Sequence, residues 1–452
     1  MESAVKNKKK YPFGFYVCSL CFTLERMAFY SSKWLIGIFI VASVASGGLG
    51  LKDADGAKMI SYLVAFTYFT PIFGGYIADR WLSPRLCVPI GTIIMGLGYM
   101  CGWQASVQSS VTFVWLMITL VAIGTGFFKG NISGINGRLF DNKEDLDGAF
   151  SVQYSFVNVG AFIGTTFVSF IAYSTIGFGG SFLICGILLF LDTAWFVIGG
   201  KASFGDVGKK PFKIDEGDLI SDNKEKNAVK VPLTKKEKLR VGAIILVTLF
   251  SIVFWVVYYL MAMPILYHWG PDFDYANKAS WMIGNFAVPS SWFDSLNSLS
   301  CILLGPVLAM VWGKLAKSPK GDLSMFKKTA LGMLLLGASF AVMALAEVVR
   351  GEGQVSLMWI IMFGVLMSLG EMVFSPLGNS FISKFSPPKV LGVMMGVWPI
   401  AIFVASFTTG HLYEFTLKYS FAPVYAILGA IVAVCGIVLW SLDKKLNKLV
   451  ED

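Results

Sequence analysis

Apolar residues in this chain come in long runs separated by short polar stretches. Twelve of the runs approach the about 20 residues that a helix needs to cross a bilayer core. They predict helices over 13–45, 57–78, 86–106, 111–138, 148–174, 180–200, 240–268, 292–313, 326–348, 355–383, 390–416 and 420–442. One long polar stretch interrupts the series, Lys201 to Lys238, rich in Lys, Asp, Glu and Gly, with Pro211 and Pro232 and little helical period. It reads as a flexible linker. The expected organisation is an all-α membrane protein of twelve spanning helices in two six-helix bundles, 1–200 and 239–452, joined by the 201–238 linker.

Composition sharpens this. At 452 residues, 56% hydrophobic, 14% charged and a mean hydropathy of +0.68, the chain is too apolar for a soluble enzyme. The net charge of +9 does not point to nucleic acid, because the cations are unevenly distributed. Of 37 Lys and Arg, five (Lys52, Lys58, Lys278, Arg350, Lys418) fall in one set of alternate loops and three (Arg26, Lys33, Lys129) lie within segments. The other 29 sit in the termini and the opposite loops. Positive-inside topology then puts both termini in the cytoplasm. The compact loops suggest a plasma or inner membrane, with an organelle membrane as the alternative. The seven cysteines mostly lie in apolar runs and read as small packers, the Cys18-Ser-Leu-Cys21 spacing included. No metal-ligand cluster, hydrolase motif or cofactor signature appears, so no cofactor is expected.

Charge within the apolar runs is the strongest functional signal. A charged group at the centre of a spanning helix costs about 2.5–3.5 kcal/mol on insertion scales. The first run carries Glu25, Arg26 and Lys33 within nine residues. At 100° per residue, Phe22, Arg26, Tyr30 and Lys33 share a face, which must look at protein or a water-filled cavity. Glu25 points about 100° aside, toward a different neighbour. The alternative is a set of ion pairs that only hold helices together. The fourth run carries Lys129 beside glycines 126, 130 and 134, a small-residue stripe that lets another helix approach and puts the ammonium in a tight space. The fifth holds Asn158, suited to bonding a helix or a ligand. The tenth holds Glu371 one turn before a kink at Ser375-Pro376.

Taken in order, several stretches resemble the proton-dependent oligopeptide transporter (POT) family of the major facilitator superfamily. They are Glu25-Arg26 with Phe29-Tyr30, Tyr68-Phe-Thr before Gly74-Gly75, Ile77-Ala-Asp79-Arg80, Lys129-Gly-Asn131 and Asn158-Val-Gly-Ala-Phe162. Phe254-Trp255, Asn297, Gly370-Glu371 with Ser375-Pro376, and Met394-Met395-Gly396-Val397-Trp398 complete the set. The resemblance implies a substrate site near the midplane. There Lys129 meets a peptide's carboxyl end, and Glu371, Asn158 and Asn297 meet its amino end. Tyr30, Tyr68 and Trp398 would shape side-chain pockets, although these aromatics could equally be core. Arg26, Lys33 and Ser375 complete the expected site. Asp79 and Arg80 match a loop motif associated with gating, in which the Asp and Arg brace one end of the bundle.

The departures from the family pattern matter as much. Phe22 stands where the first-helix pattern begins with Glu. Tyr259 and Leu260 stand where an acidic residue and Gln are usual, which leaves Lys33 without its usual partner. On this reading the cavity carries cations in excess, and Glu25 and Glu371 remain as proton carriers. His268 and His411, at segment ends, read as interfacial. The expected function is import of di- or tripeptides or peptide-like metabolites by alternating access. Proton coupling would run through a non-standard carboxylate set, in a protein acting as a monomer. The alternatives are a carrier of a non-peptide anion, an uncoupled facilitator or a sensor.

Overall fold

The computed structural model describes residues 11–140, 146–212, 232–319, 321–375 and 377–451. Its first half contains α1 (Phe13–Val41), α2 (Asp53–Arg80), α3 (Pro84–Gln108), α4 (Val111–Arg138), α5 (Leu146–Ala172) and α6 (Gly177–Ser203). The second contains α7 (Lys235–Leu260), α8 (Ala262–Tyr267), α9 (Trp292–Ala316), α10 (Met325–Arg350), α11 (Leu357–Phe374), α12 (Leu377–Phe385), α13 (Leu391–Thr416) and α14 (Phe421–Glu451). Eleven spans among the described residues are long and apolar enough to cross a membrane. The 29-residue α1, with its three charges, is the twelfth.

Two predicted segments are broken. The seventh divides at Met261, because Pro264 has no N–H and its ring crowds the carbonyl of Leu260, four residues back. The tenth divides between Phe374 and Leu377; the expected kink residue Pro376 lies outside the described residues. The last helix outruns its apolar stretch by nine residues, because Leu446 stays buried and Asp443 accepts from Ser324 and Asn447 and pairs with Lys327.

The start of the predicted flexible linker is fixed in place. Helix α6 runs to Ser203, and Phe204 is buried over Gly14 and Gly200. Arg85 clamps the next turn, donating through Nε to the Val207 carbonyl (2.6 Å) and through Nη2 to that of Gly205 (2.7 Å). Phe212 packs against Gly134 beneath the Arg138 guanidinium. At the other end, Thr234 and Glu237 cap α7 reciprocally, so Lys235 to Lys238 belong to a helix. The intervening 213–231 lie outside the described residues.

Helices α1–α6 pack chiefly on one another through α3–α4, α1–α5, α3–α6, α2–α4 and α1–α6. Helices α7–α14 do so through α10–α14, α10–α11, α7–α13 and α9–α11. The bundles meet along α2–α13 and α5–α9. At the α2–α4 crossing a Cβ on Gly74 would fall 2.0 Å from the Gly126 carbonyl oxygen, so only glycine permits that approach. Of the expected stripe only Gly126 serves a helix crossing. Gly134 meets Phe212, and Gly130 has no atom within 4 Å of a Cβ position.

The start of α1 and the end of α14 lie at one end of the helices, called here the terminal side. At the opposite, far side the structure departs from all-α in four two-residue strands. β1 (Ala279–Ser280) pairs in parallel with β4 (Val355–Ser356), and β2 (Met282–Ile283) pairs antiparallel with β3 (Phe286–Ala287).

Candidate substrate cavity

A cavity of about 460 Å³ lies between the bundles. All ten residues expected to bind substrate line it: Arg26, Tyr30, Lys33, Tyr68, Lys129, Asn158, Asn297, Glu371, Ser375 and Trp398. Helical period accounts for much of this. Phe22, Arg26, Tyr30 and Lys33 form one face of α1, and all four reach the cavity. Of the remaining expected residues, Glu25, Asp79 and Arg80 are not in its wall.

The charges are arranged differently from expectation. Glu25 makes no hydrogen bond or ion pair with a neighbouring helix among the described residues. It folds onto Arg26, which donates to its carboxylate through both Nε (2.5 Å) and Nη2, with Glu25 1% exposed. Lys33 has a partner after all, Asp294 on α9, in a buried ion pair that joins the two bundles. Trp34 donates to the same carboxylate at 2.8 Å. Asp294 is the site residue that sequence reasoning missed. Its signal was present: it precedes Asn297 by three residues in an apolar run, which puts both on one helix face. With Asp294 counted, the expected cation excess disappears.

Two charged groups of the cavity wall remain without an opposite charge among the described residues. Lys129 on α4 holds its ammonium 4.4 Å above the centre of the Tyr68 ring and forms no ion pair. Glu371 on α11 accepts from neutral donors, the Tyr258 hydroxyl at 2.6 Å and Asn297 Nδ2 at 2.8 Å. Asn297 also donates to Ser368 Oγ, and Asn158 Nδ2 donates to the Tyr154 carbonyl of its own helix. Apolar wall is supplied by Phe22, against Phe128 at 5.5 Å, by Trp255 and by Trp398, whose indole fills the space beside Gly378. Neither histidine enters the cavity. His411 bonds Tyr62 at 2.9 Å, and His268 lies between Glu347 (3.0 Å) and Lys278 (3.2 Å) on the far side. Burial holds the His268 ring below its ordinary pKa, against the opposing pull of Glu347.

The far side of the interface is sealed by polar bonds between bundles. Besides Lys33–Asp294, Tyr267 donates to the Gly37 carbonyl (2.9 Å), Ser169 to Ser291 (2.9 Å) and Trp292 to the Thr166 carbonyl (3.0 Å). Thr165 and Ser295 share a bond of 2.8 Å. Further out, Tyr173 donates to Asp272 (2.8 Å), Tyr275 donates to Asp53 (2.5 Å), and Lys58 pairs with Glu414 (2.9 Å). Burial raises the Asp272 carboxyl above its ordinary value, with the Tyr173 hydroxyl pulling it back. Toward the terminal side, Tyr154 in the cavity wall is 44% exposed, and no atom lies within 4 Å of a Cβ position on Gly130 or Gly396. The cavity therefore opens to the terminal side. There Arg80 lies on Tyr76 (3.8 Å), and Arg85 makes the bracing bonds expected of the Asp79–Arg80 pair.

Two bundles enclosing a charged central cavity, sealed at one end and open at the other, define a membrane transport protein. The chain matches the model of the POT family over residues 86–214 and 213–428, and it belongs to that family. It is 24% identical to the di-/tripeptide transporter of Lactococcus lactis subsp. cremoris, over 95% of this chain and 94% of that protein. It is 27% identical to dipeptide and tripeptide permease A of Erwinia pyrifoliae, over 91% and 87%. The solved structure of a peptide transporter POT in complex with sulfate matches with a TM-score of 0.85 at 23% identity, covering 98% of this chain and 96% of that one. A POT family transporter in complex with 5-aminolevulinic acid matches at 0.83 and 24%, over 96% and 97%. These structural matches establish the major facilitator fold.

Proposed function

We propose that the protein imports di- and tripeptides by alternating access, with protons as the driving ion. One observation carries this reading: a single cavity presents an unpaired cation, Lys129, on one bundle and an unpaired carboxylate, Glu371, on the other. Leaving either group without a counter-charge is costly unless a ligand supplies one. A zwitterion with its charges about one peptide length apart satisfies both. Polar groups at Asn158 and Asn297 and aromatic walls suit an amide with variable side chains. A simple anion would answer Lys129 and leave Glu371 facing it, which disfavours the non-peptide-anion alternative. The names of the relatives, di-/tripeptide transporters and permeases, agree.

With the basic loops in the cytoplasm, the cavity opens inward, and the substrate path from outside is closed by the far-side bonds. Coupling then falls to carboxylates in the path. Protonating Asp294 removes the charge that holds Lys33, and so loosens the seal between bundles. Glu371 is the second carrier. Glu25, enclosed with Arg26, takes part only if that pair separates. The orientation also places Asp79, Arg80 and Arg85 at the cytoplasmic end, where the opposing helix ends must close. The plasma membrane is the proposed location and the monomer the proposed working unit.

The test is uptake of a labelled dipeptide into proteoliposomes with and without an inward proton gradient. Accumulation above equilibrium is expected with the gradient. Lys129→Ala and Glu371→Gln should each lower uptake by at least about a hundredfold, the scale set by losing one charge-assisted contact of roughly 3 kcal/mol, with unchanged elution on gel filtration. Uptake that survives either change defeats the site assignment.

A further inference from the structure

Tyr258 and Tyr259 are consecutive on α7, so their side chains diverge by about 100°. Their phenols bond different partners in the cavity wall. Tyr258 donates to Glu371 Oε2 at 2.6 Å, while Tyr259 donates to Tyr68 at 3.4 Å, the residue whose ring lies under Lys129. The Tyr258 ring is 6% exposed and held in place by Phe254, stacked at 6.0 Å, and by Trp255 and Tyr259, packed edge-on at 5.2 and 5.5 Å. Phe254 is itself stacked on Phe374 of α11 at 3.8 Å, three residues from Glu371. The phenol therefore has little freedom to leave the carboxylate.

The chemistry of the donors decides what Glu371 is free to do. A Lys or Arg at this distance would stabilise the carboxylate by neutralising it, and a substrate ammonium would then have to displace that cation. A phenol and an amide stabilise the ion through charge-assisted hydrogen bonds and leave its full charge available. Both donors use the same oxygen, Oε2, so neither occupies Oε1.

We infer that Tyr258 is a positioning residue for substrate selection: it orients Glu371 so that the carboxylate selects ligands with a free α-ammonium. This rests on the reading of Glu371 as the amino-end pole. Tyr259, with its long bond to a second phenol, serves the Lys129 pole more weakly, through Tyr68.

The experiment is equilibrium binding of Ala-Phe and of its N-acetylated form to the purified full-length protein, using wild type, Tyr258→Phe, Tyr259→Phe, Glu371→Gln and the Tyr258→Phe/Glu371→Gln double variant. Tyr258→Phe should weaken Ala-Phe about tenfold, as expected for one hydrogen bond to a charged group. It should leave the acetylated ligand within about twofold of wild type and change nothing further on the Glu371→Gln background. Tyr259→Phe should shift both ligands by less than about threefold. Equal weakening of both ligands by Tyr258→Phe, or full additivity in the double variant, overturns the positioning role. If Glu371→Gln itself fails to discriminate between the two ligands, the amino-end assignment of Glu371 fails instead, whatever Tyr258 does.

Discussion

The two ends of the bundle interface are built from different chemistry. The far side is joined by hydroxyls, phenols and one buried ion pair, contributed about equally by α1, α2 and α5 on one bundle and by α9, α13 and the 268–291 connection on the other. The terminal side has glycine positions with nothing opposite them and an exposed Tyr154 in the cavity wall. A hydrogen bond is worth only about 0.5–1.5 kcal/mol net, because its groups return to water when it breaks. A seal made of many such bonds is firm in sum yet reversible, which a transporter needs. A fused apolar core at the same place would have to expose its surface on every cycle.

The ion pair is the part of the seal whose loss should be felt most. Asp294→Ala strands Lys33 as a buried cation at a cost of about 3–5 kcal/mol, whereas replacing both partners with apolar residues is close to neutral. The expected result is a marked fall in melting temperature for Asp294→Ala and recovery in Lys33→Met/Asp294→Leu. Gradient-driven accumulation should be lost in both. A double variant that still concentrates peptide would show that the seal is structural and that coupling lies elsewhere.

Two glycines of α4, one turn apart, sharpen the same contrast. Gly126→Ala places a Cβ 2.8 Å from the Thr70 carbonyl oxygen at the α2 crossing, and overpacking of this kind costs about 1–3 kcal/mol. Gly130→Ala meets nothing in this state, so stability should hold or rise by up to about 1 kcal/mol. Its effect should appear instead as slower uptake, if the terminal side closes over this position. Thermal melts and initial uptake rates measured side by side separate the two outcomes.

The smallest effect concerns pH at the far side. Asp272 has its carboxyl raised by burial while that side is closed, and regains its ordinary value when opening returns it to water. The closed state thus binds this proton more tightly, so the contribution of Asp272 favours closure at low pH and declines as pH rises through the raised value. Tyr173→Phe removes one of the donors that oppose the shift and should steepen the dependence, while Asp272→Asn should flatten it. Labelling of a cysteine placed at Ser295, in the seal, reads the far-side opening. Identical pH profiles for all three proteins would remove Asp272 from the account.

Much of this molecule was legible in the linear chain, and the reasons are local. Twelve runs of bilayer length, the bias of Lys and Arg and the 100° period that brings Phe22, Arg26, Tyr30 and Lys33 onto one face need no knowledge of distant residues. Even the break at Met261 follows from Pro264 four residues after Leu260, though the apolar pattern alone ran straight through it. The start of the linker was misjudged because its polarity hid two buried aromatics, Phe204 and Phe212, whose partners Gly14 and Gly134 are far away in the chain.

What only the tertiary structure decided is which charges meet. Lys33 and Asp294 are on different bundles, and each in isolation is an ion that a spanning helix should not contain. Neighbours in sequence misled in the opposite way, since Glu25 closed onto Arg26 and left the cavity. Composition fixes how many charges must be satisfied inside the membrane, because an unpaired ion there is costly. The folding of two bundles against each other selects the pairs and leaves Lys129 and Glu371 facing the ligand space.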